Sequence, residues 1–300
     1  MPIKKTISSL RRSYRKRKVL GNILSAEHEN YPVLNIHSCR TSNVGDYWSG
    51  PHHYFEELND KTLDIHDYIS QDKSIAKNFI EKTIRHSLII GGGGLLNRGG
   101  FETQMKLFEK LAEKGKKIVL WGVGHNSKNR VDFGKLSHYN IKTSSFGLAG
   151  TRDFSMPGEW VPCVSCLHSI FDERFDNVRE IGIVFHLETA KNPEITKKFK
   201  DFPSISNIDD FEELIKFIGT SEKIITDSYH AMYWAMLMGK KTLVIPNSSK
   251  FYDFKYQPVI SNFDKVLEDL KKAQSYSGVL EECREINKKF AEKVFDYLGI

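Results

Sequence analysis

The residues best placed to do chemistry are Asp227-Ser228-Tyr229-His230. They follow an apolar run, Lys223-Ile-Ile-Thr226, that suits a short buried strand. After them Ala231, Ala235 and a set of Met and Trp residues continue at helical spacing to Gly239, and a second apolar run, Thr242–Pro246, completes a strand–helix–strand unit. The quartet therefore falls where a strand ends and a helix begins. At that edge the first helical N–H groups lack partners, the helix dipole favours negative charge, and open α/β sheets bind their ligands. A histidine there can hold a phosphate or carboxylate, or donate a proton. The plainer reading is that Asp227 and Ser228 cap the helix and His230 is a half-buried first-turn residue.

The same pattern recurs along the chain. Tyr31–His37 reads as a strand and ends in a polar loop carrying Asn43, Gly45 and Asp46. Ser87–Ile90 runs straight into Gly91-Gly92-Gly93-Gly94 and Asn97, where a bare backbone lets amides approach a ligand. Lys117–Trp121 ends in Gly122-Val-Gly124-His125, and a strand within Ser145–Ser155 ends at Arg152. An arginine at such an edge can grip a carboxylate or phosphate bidentately. Glu180–Phe185 ends in His186. Each residue has an ordinary alternative: Asp46 as a helix cap, Arg152 paired with Asp153, the glycines as a tight turn. The glycine run lacks both the GxGxxG spacing of a dinucleotide fingerprint and the GK(S/T) of a P-loop, which disfavours nicotinamide and ATP as ligands.

Helical patterns separate these strands, over Tyr47–Leu58 (with Pro51 early in it), Ile75–Arg85, Phe101–Lys114 and Asp209–Ile218, the last capped by Asp209 or Asp210. Leu63–Tyr68 and Phe202–Ile205 read as short extra strands, and Asn262–Ala273 and Leu280–Leu298 as closing helices. Strand, polar loop and helix in repetition mean βαβ units and parallel sheets covered on both faces. The expected class is α/β, with two Rossmann-like parallel-sheet domains. A basic tail covers residues 1–24, the first domain 25–174 and the second, with the terminal helices, 175–300.

Composition narrows the function. No apolar run approaches the roughly 20 residues of a membrane span, so a soluble or peripheral chain is expected. Met1–Leu20 holds eight Lys and Arg and no acid, so against a net charge of +6 the remainder carries −2. Ile3, Ile7, Leu10 and Tyr14 fall at helical spacing among those bases, which suits an amphipathic helix on an anionic membrane surface; a disordered solubilising tail is the alternative. No basic and aromatic motif continues into the body, which argues against nucleic acid. Four cysteines without a framework spacing point to a reducing cytoplasm, including the inner face of its membrane. Cys163-Val-Ser-Cys166-Leu-His168 offers only half of a zinc site, so buried free thiols are expected, ahead of a redox role and of a metal. No metal or resident cofactor is expected.

Five of these motifs, in this order, resemble those of the polysaccharide pyruvyl transferases. Asn43-Val-Gly45-Asp46 is similar to that family's N-x-G-D element. Ile89–Asn97 resembles its glycine strand-loop and Trp121–Gly124 its second glycine loop. Thr151–Ser155 is similar to its R-D/E-x-x-S segment, and Ser228-Tyr229-His230 with the following helix and Gly239–Pro246 to its C-terminal histidine motif. That motif commonly reads R-L-H, and Ser228-Tyr229 stands here in place of Arg-Leu. The resemblance covers roughly Val33 to Pro246. It implies a GT-B type fold, two sheets facing across a cleft, and transfer of a pyruvyl group from phosphoenolpyruvate to sugar hydroxyls as a ketal. Under it His230 is the acid or the phosphate ligand and Asp46 the base. Arg152, Ser155, Ser228, Tyr229 and His186 face the donor. Asn43, Gly45, Gly92, Gly93, Gly94, Asn97, Gly124 and His125 face a glycan acceptor, free or lipid-linked. A metal-independent glycosyltransferase using a nucleotide sugar would suit the same layout, and a non-catalytic glycan-binding protein is a third reading.

Overall fold

Alternation along the strands decides which helices cover which face. The computed structural model describes residues 2–39, 41–207 and 210–300, with side chains from residue 14 onward. Seven strands form the first sheet: β1 (Val33–His37), β2 (Thr62–Asp64), β3 (Ser87–Ile90), β4 (Gly93–Leu96), β5 (Ile118–His125), β6 (Leu148–Thr151) and β7 (Glu159–Trp160). Their order is β2-β1-β3-β5-β6-β7, with β4 also on β5, and every pairing is parallel. Leu34, Ile36, Leu88, Ile90, Ile118 and Leu120 share one face with helices α1 (Pro2–Ser25), α3 (Lys73–Arg85) and α4 (Glu102–Glu113). The residues between them, Val33, Ile89, Val119 and Trp121, point the other way, because successive side chains of a strand face opposite sides.

The second sheet has five parallel strands in the order β12-β11-β10-β8-β9. They are β8 (Arg179–Phe185), β9 (Ser204–Ser206), β10 (Ser221–Thr226), β11 (Lys241–Val244) and β12 (Val259–Ile260). Val184, Ile224 and Val244 pack with helices α7 (Phe211–Gly219) and α8 (Tyr229–Leu237), and Ile183, Ile225 and Leu243 with Phe199, Val266 and Leu270 on the opposite face. All nine residues of α8 are buried, which accounts for a helix apolar all round. The short helices α2 (Val44–Tyr47), α5 (Leu187–Ala190), α6 (Pro193–Thr196) and α9 (Val266–Asp269) complete the layers. The last helix, α10 (Val279–Leu298), lays Phe290, Val294 and Leu298 on the first sheet's second face. Its buried Asn287 accepts from Trp121 Nε1 at 3.0 Å and donates to the Pro162 carbonyl.

Several local expectations are corrected. The helix expected over Tyr47–Leu58 is broken into α2 and two 3-10 turns, Pro51–His53 and Glu56–Leu58, because Pro51 cannot donate within a continuing helix. The strand expected at Leu63–Tyr68 ends at Asp64, and Asp67–Ile69 is a 3-10 turn. Asn262–Ala273 holds only α9 and one turn, Leu270–Lys272. Asp210 caps α7 through the Glu212 and Glu213 amides, and Asp209 lies outside the described residues. The backbone of α1 is helical, with Val19 and Ile23 buried against the first sheet's layer. The side chains of Ile3, Ile7 and Leu10 lie outside the described residues, and Tyr14 is exposed. No helix among the described residues is long and apolar enough to cross a membrane. Cys163, Cys166 and Cys283 are free and buried, and burial pushes all three thiols up.

Candidate active site

Carboxyl edges of both sheets open onto one cavity of about 550 Å³. From the first sheet come Ser38 and Asn43 after β1, Gly92–Gly94 after β3, Asn126 after β5 and Arg152 after β6. The second sheet contributes His186 after β8, Asn207 after β9 and Ser228-Tyr229-His230 after β10. Arg98, Lys128 and Lys250 add three further cations to the wall.

Arg152 is buried, with its Cζ 4.0 Å from the centre of the Tyr229 ring, a cation–π contact across the two halves. Its Nε and Nη1 have no hydrogen-bond partner among the described residues. The neighbouring Asp153 does not pair with it. That carboxylate accepts from the His125 amide at 2.6 Å and the Tyr139 hydroxyl at 3.0 Å, and burial pushes it up to about 7. Gly124 makes room for this arrangement, since a Cβ there would lie 2.7 Å from both Arg152 and Asp153. A Cβ on Gly94 would stand 3.1 Å from Arg152 Nη2 and 2.8 Å from Asn126.

His230 and Asp46 line the same cavity from opposite halves. The contact between halves is close enough that a Cβ on Gly45 would come 2.1 Å from His230 Nδ1. His230 Nε2 has no partner among the described residues, and burial, with Arg152 and Lys250 nearby, holds the ring well below its ordinary pKa. Asp46 is not a cap. It sits inside α2, and Asn43 at the cap position makes no capping bond. Instead Asn43 Nδ2 donates to Asp46 Oδ2 at 2.9 Å while Asn43 Oδ1 accepts from Asn207 Nδ2 at 3.3 Å, so a chain of amides from the second sheet orients the carboxylate. Burial pushes Asp46 up, opposed by Lys250 and Arg152.

At the start of α8, Ser228 occupies the cap position without a side-chain capping bond. The Asp227 carboxylate turns away and accepts from the His186 amide and the Thr189 hydroxyl. The Ser228 amide donates to Thr226 Oγ1 at 2.9 Å, and the first amides of the nine-residue α8 have no side-chain cap. Tyr229 is buried, with Lys250 Nζ 5.9 Å from its ring centre. Lys250 is pushed down to about 7 by burial, Arg152 and Lys128, and His186 to about 4 by burial and Lys250.

Five expected site residues stand outside the wall. Gly45 serves as the contact point under His230. Gly124 packs against Arg152 behind it. Asn97 adopts a left-handed backbone (φ 51°) and bonds with Asn140 and His138. His125 is buried and bonds through Nδ1 to Ser249 Oγ at 2.7 Å, next to Lys250. Ser155 donates its amide to Asp253 Oδ1, tying the loop that carries Lys250 to the first half. Arg98, Lys128, Lys250 and Asn207 were not singled out from sequence. Lys250 follows the Thr242–Pro246 run closely enough that the strand-end rule, applied once more, would have found it. Arg98 and Lys128 lie in irregular segments and carry no such signal.

The fold and site together define an α/β protein of parallel sheets with a shared cavity lined by Arg98, Lys128, Arg152 and Lys250. Residues 166–249 match the family model of polysaccharide pyruvyl transferases, a segment that runs through β8–β11 and includes His186 and Ser228–His230. No curated protein matches the chain.

Proposed function

We propose that the cavity is the active site of a pyruvyl transferase-type enzyme, with phosphoenolpyruvate as donor and hydroxyls of a glycan as acceptor, in a GT-B-like cleft between the two sheets. The observation that carries this reading is Arg152. A buried guanidinium with unpartnered nitrogens is costly unless a ligand completes it, and bidentate pairing with carboxylate or phosphate is the interaction its shape favours. Four cations, Arg98, Lys128, Arg152 and Lys250, and the open amides of α8 match a small ligand bearing both a carboxylate and a phosphate. Lys250 supplies, from the loop after β11, a cation where the family's motif has an arginine and this chain has Ser228.

The chemistry requires a proton on the donor methylene, attack of one sugar hydroxyl on the adjacent carbon, departure of phosphate and closure by a second hydroxyl to the ketal. One hydroxyl proton balances the new methyl group; the other leaves with phosphate or buffer. In the free site burial, with Arg152 and Lys250 beside it, keeps His230 unprotonated. A bound dianion offsets the cations' share and adds an attraction of its own, so donor binding would favour the charged imidazole as acid or phosphate ligand. Asp46, held by Asn43, is the base for the acceptor hydroxyl.

A second cavity of about 620 Å³ shares Lys128 and is walled by Phe133, Tyr252 and Asn262, a shape that suits a nucleoside. It is the specific observation favouring a nucleotide-sugar donor. Thermal unfolding with phosphoenolpyruvate or with nucleoside diphosphates separates the two, because a ligand of the folded state raises the midpoint by mass action. Stabilisation by phosphoenolpyruvate, and phosphate release with an acceptor glycan that His230→Ala abolishes, is expected. Stabilisation by nucleoside diphosphates alone would overturn the pyruvyl reading.

A further inference from the structure

Three histidines outside the cavity, His37 at the end of β1 and His52 and His53 in the Pro51–His53 turn, each place one ring nitrogen within 4.8 Å of the others. The hydrogen bonds around them fix which nitrogens are free to ligate. Asn35 Nδ2 donates to the carbonyls of Ile89 and Gly91, so its Oδ1 must accept from His52 Nδ1, at 2.9 Å. The Tyr47 carbonyl can only accept, and it takes His53 Nε2–H at 2.9 Å. Those two bonds leave lone pairs on His52 Nε2 and His53 Nδ1. His37 is fully buried; its Nδ1 makes no hydrogen bond of ordinary geometry among the described residues, although the Asp46 carbonyl faces the ring, and Nε2 lies 3.4 Å from Cys39 Sγ. With the Cys39 thiol hydrogen placed on the Thr62 hydroxyl or the His37 carbonyl, its sulfur can receive His37 Nε2–H, and that tautomer frees Nδ1.

We propose that His37, His52 and His53 form a binding site for one divalent transition metal ion of the zinc class. Imidazole is the ligand such ions favour, and a histidine ligand is oriented by an acceptor on its other nitrogen. All three rings have such an outer partner here: an amide oxygen, a backbone carbonyl and a sulfur. A tetrahedral ion with bonds of about 2.0–2.1 Å needs nitrogens roughly 3.4 Å apart, so the rings would have to rotate to draw them in from separations of up to 4.8 Å. The fourth position falls to water. The ion would join the two ends of the segment from His37 to His53, which carries Asn43 and Asp46, and so steady the carboxylate in the cavity without touching substrate. The site stands whether or not the pyruvyl reading does, since it rests on different residues.

The test uses the full chain, stripped of metal and titrated with Zn²⁺ and with Co²⁺. One equivalent should bind, Co²⁺ should give the intense visible bands of a tetrahedral site, and the unfolding midpoint should rise with metal. His52→Gln with His53→Gln should remove all three effects, each read against the variant's own metal-free midpoint, and the exposed His138→Gln should remove none. If the double variant does not fold, His53→Gln alone, which removes a ligand, should weaken binding by at least the roughly 10–100-fold that loss of an outer partner costs. Failure of the parent chain to bind stoichiometrically, or unaltered binding in a folded variant, would overturn the proposal.

Discussion

Arg152 and Lys250 are cations held close together by the fold, and the consequences of that can be measured. An unpaired buried guanidinium destabilises the free protein, so Arg152→Met should leave stability unchanged or raise it by about 1–4 kcal/mol. The same change should weaken phosphoenolpyruvate binding by about 1.5–3 kcal/mol, the worth of a charged hydrogen bond. Calorimetric unfolding and ligand titration together check this, and a variant that loses stability in step with affinity would mean that Arg152 is only a packing residue. Lys250, at about 7, changes charge in the working range. Below that pH it is an ammonium, and above it an amine, so anion affinity should fall roughly tenfold between pH 6 and 8.5, and Lys250→Arg should flatten the profile. Stability of the free protein runs the other way. The lysine's folded pKa lies below its unfolded value of about 10.4, so this group's contribution is lost as pH falls through 7 and is regained as pH rises towards 10.

Burial decides how closely an element follows the apolar pattern of its sequence. β3 over Ser87–Ile90 and α10 ending at Leu298 fall where the apolar pattern puts them, because a strand or helix covered by a core has no freedom to drift. The segment after β1 buries Val44 and Leu58 in different clusters without a periodic stripe, so its path is set by Pro51 and by the contacts of Asn43, His52 and Tyr54 instead of by periodicity. The contact of α2 with α8 gives a prediction at this scale. Gly45→Ala should cost about 1–3 kcal/mol and depress turnover, since the new methyl group lies on the His230 ring. Gly21→Ala is the counterpart: it lies within α1 with nothing inside 4 Å of the added carbon, and should stabilise by about 0.5–1 kcal/mol. Chemical denaturation of the two variants should move in opposite directions.

Across the whole molecule, the chain's last helix crosses back to cover the first sheet. Phe290 packs edge-on to Trp121 at 5.3 Å between ring centroids, and Val294 and Leu298 continue the contact. Phe290→Ala should therefore cost about 3–5 kcal/mol, and a chain ending before Val279 should expose the first sheet's face and bind an apolar dye. A truncated chain that unfolds with the parent's midpoint would show the two halves to be independent. The alternation of strand, polar loop and helix determined the α/β class, the parallel sheets and the residues at most strand ends, because hydrophobic periodicity and glycine or proline punctuation act within a few residues. Which of those ends meet was decided by tertiary structure alone. Arg152 lies on Tyr229, His230 on Gly45 and Lys250 beside both only once two sheets dock, and burial then gives these groups charges that their sequence neighbours do not determine. Electrostatic fields act through space, and no spacing along a chain encodes them.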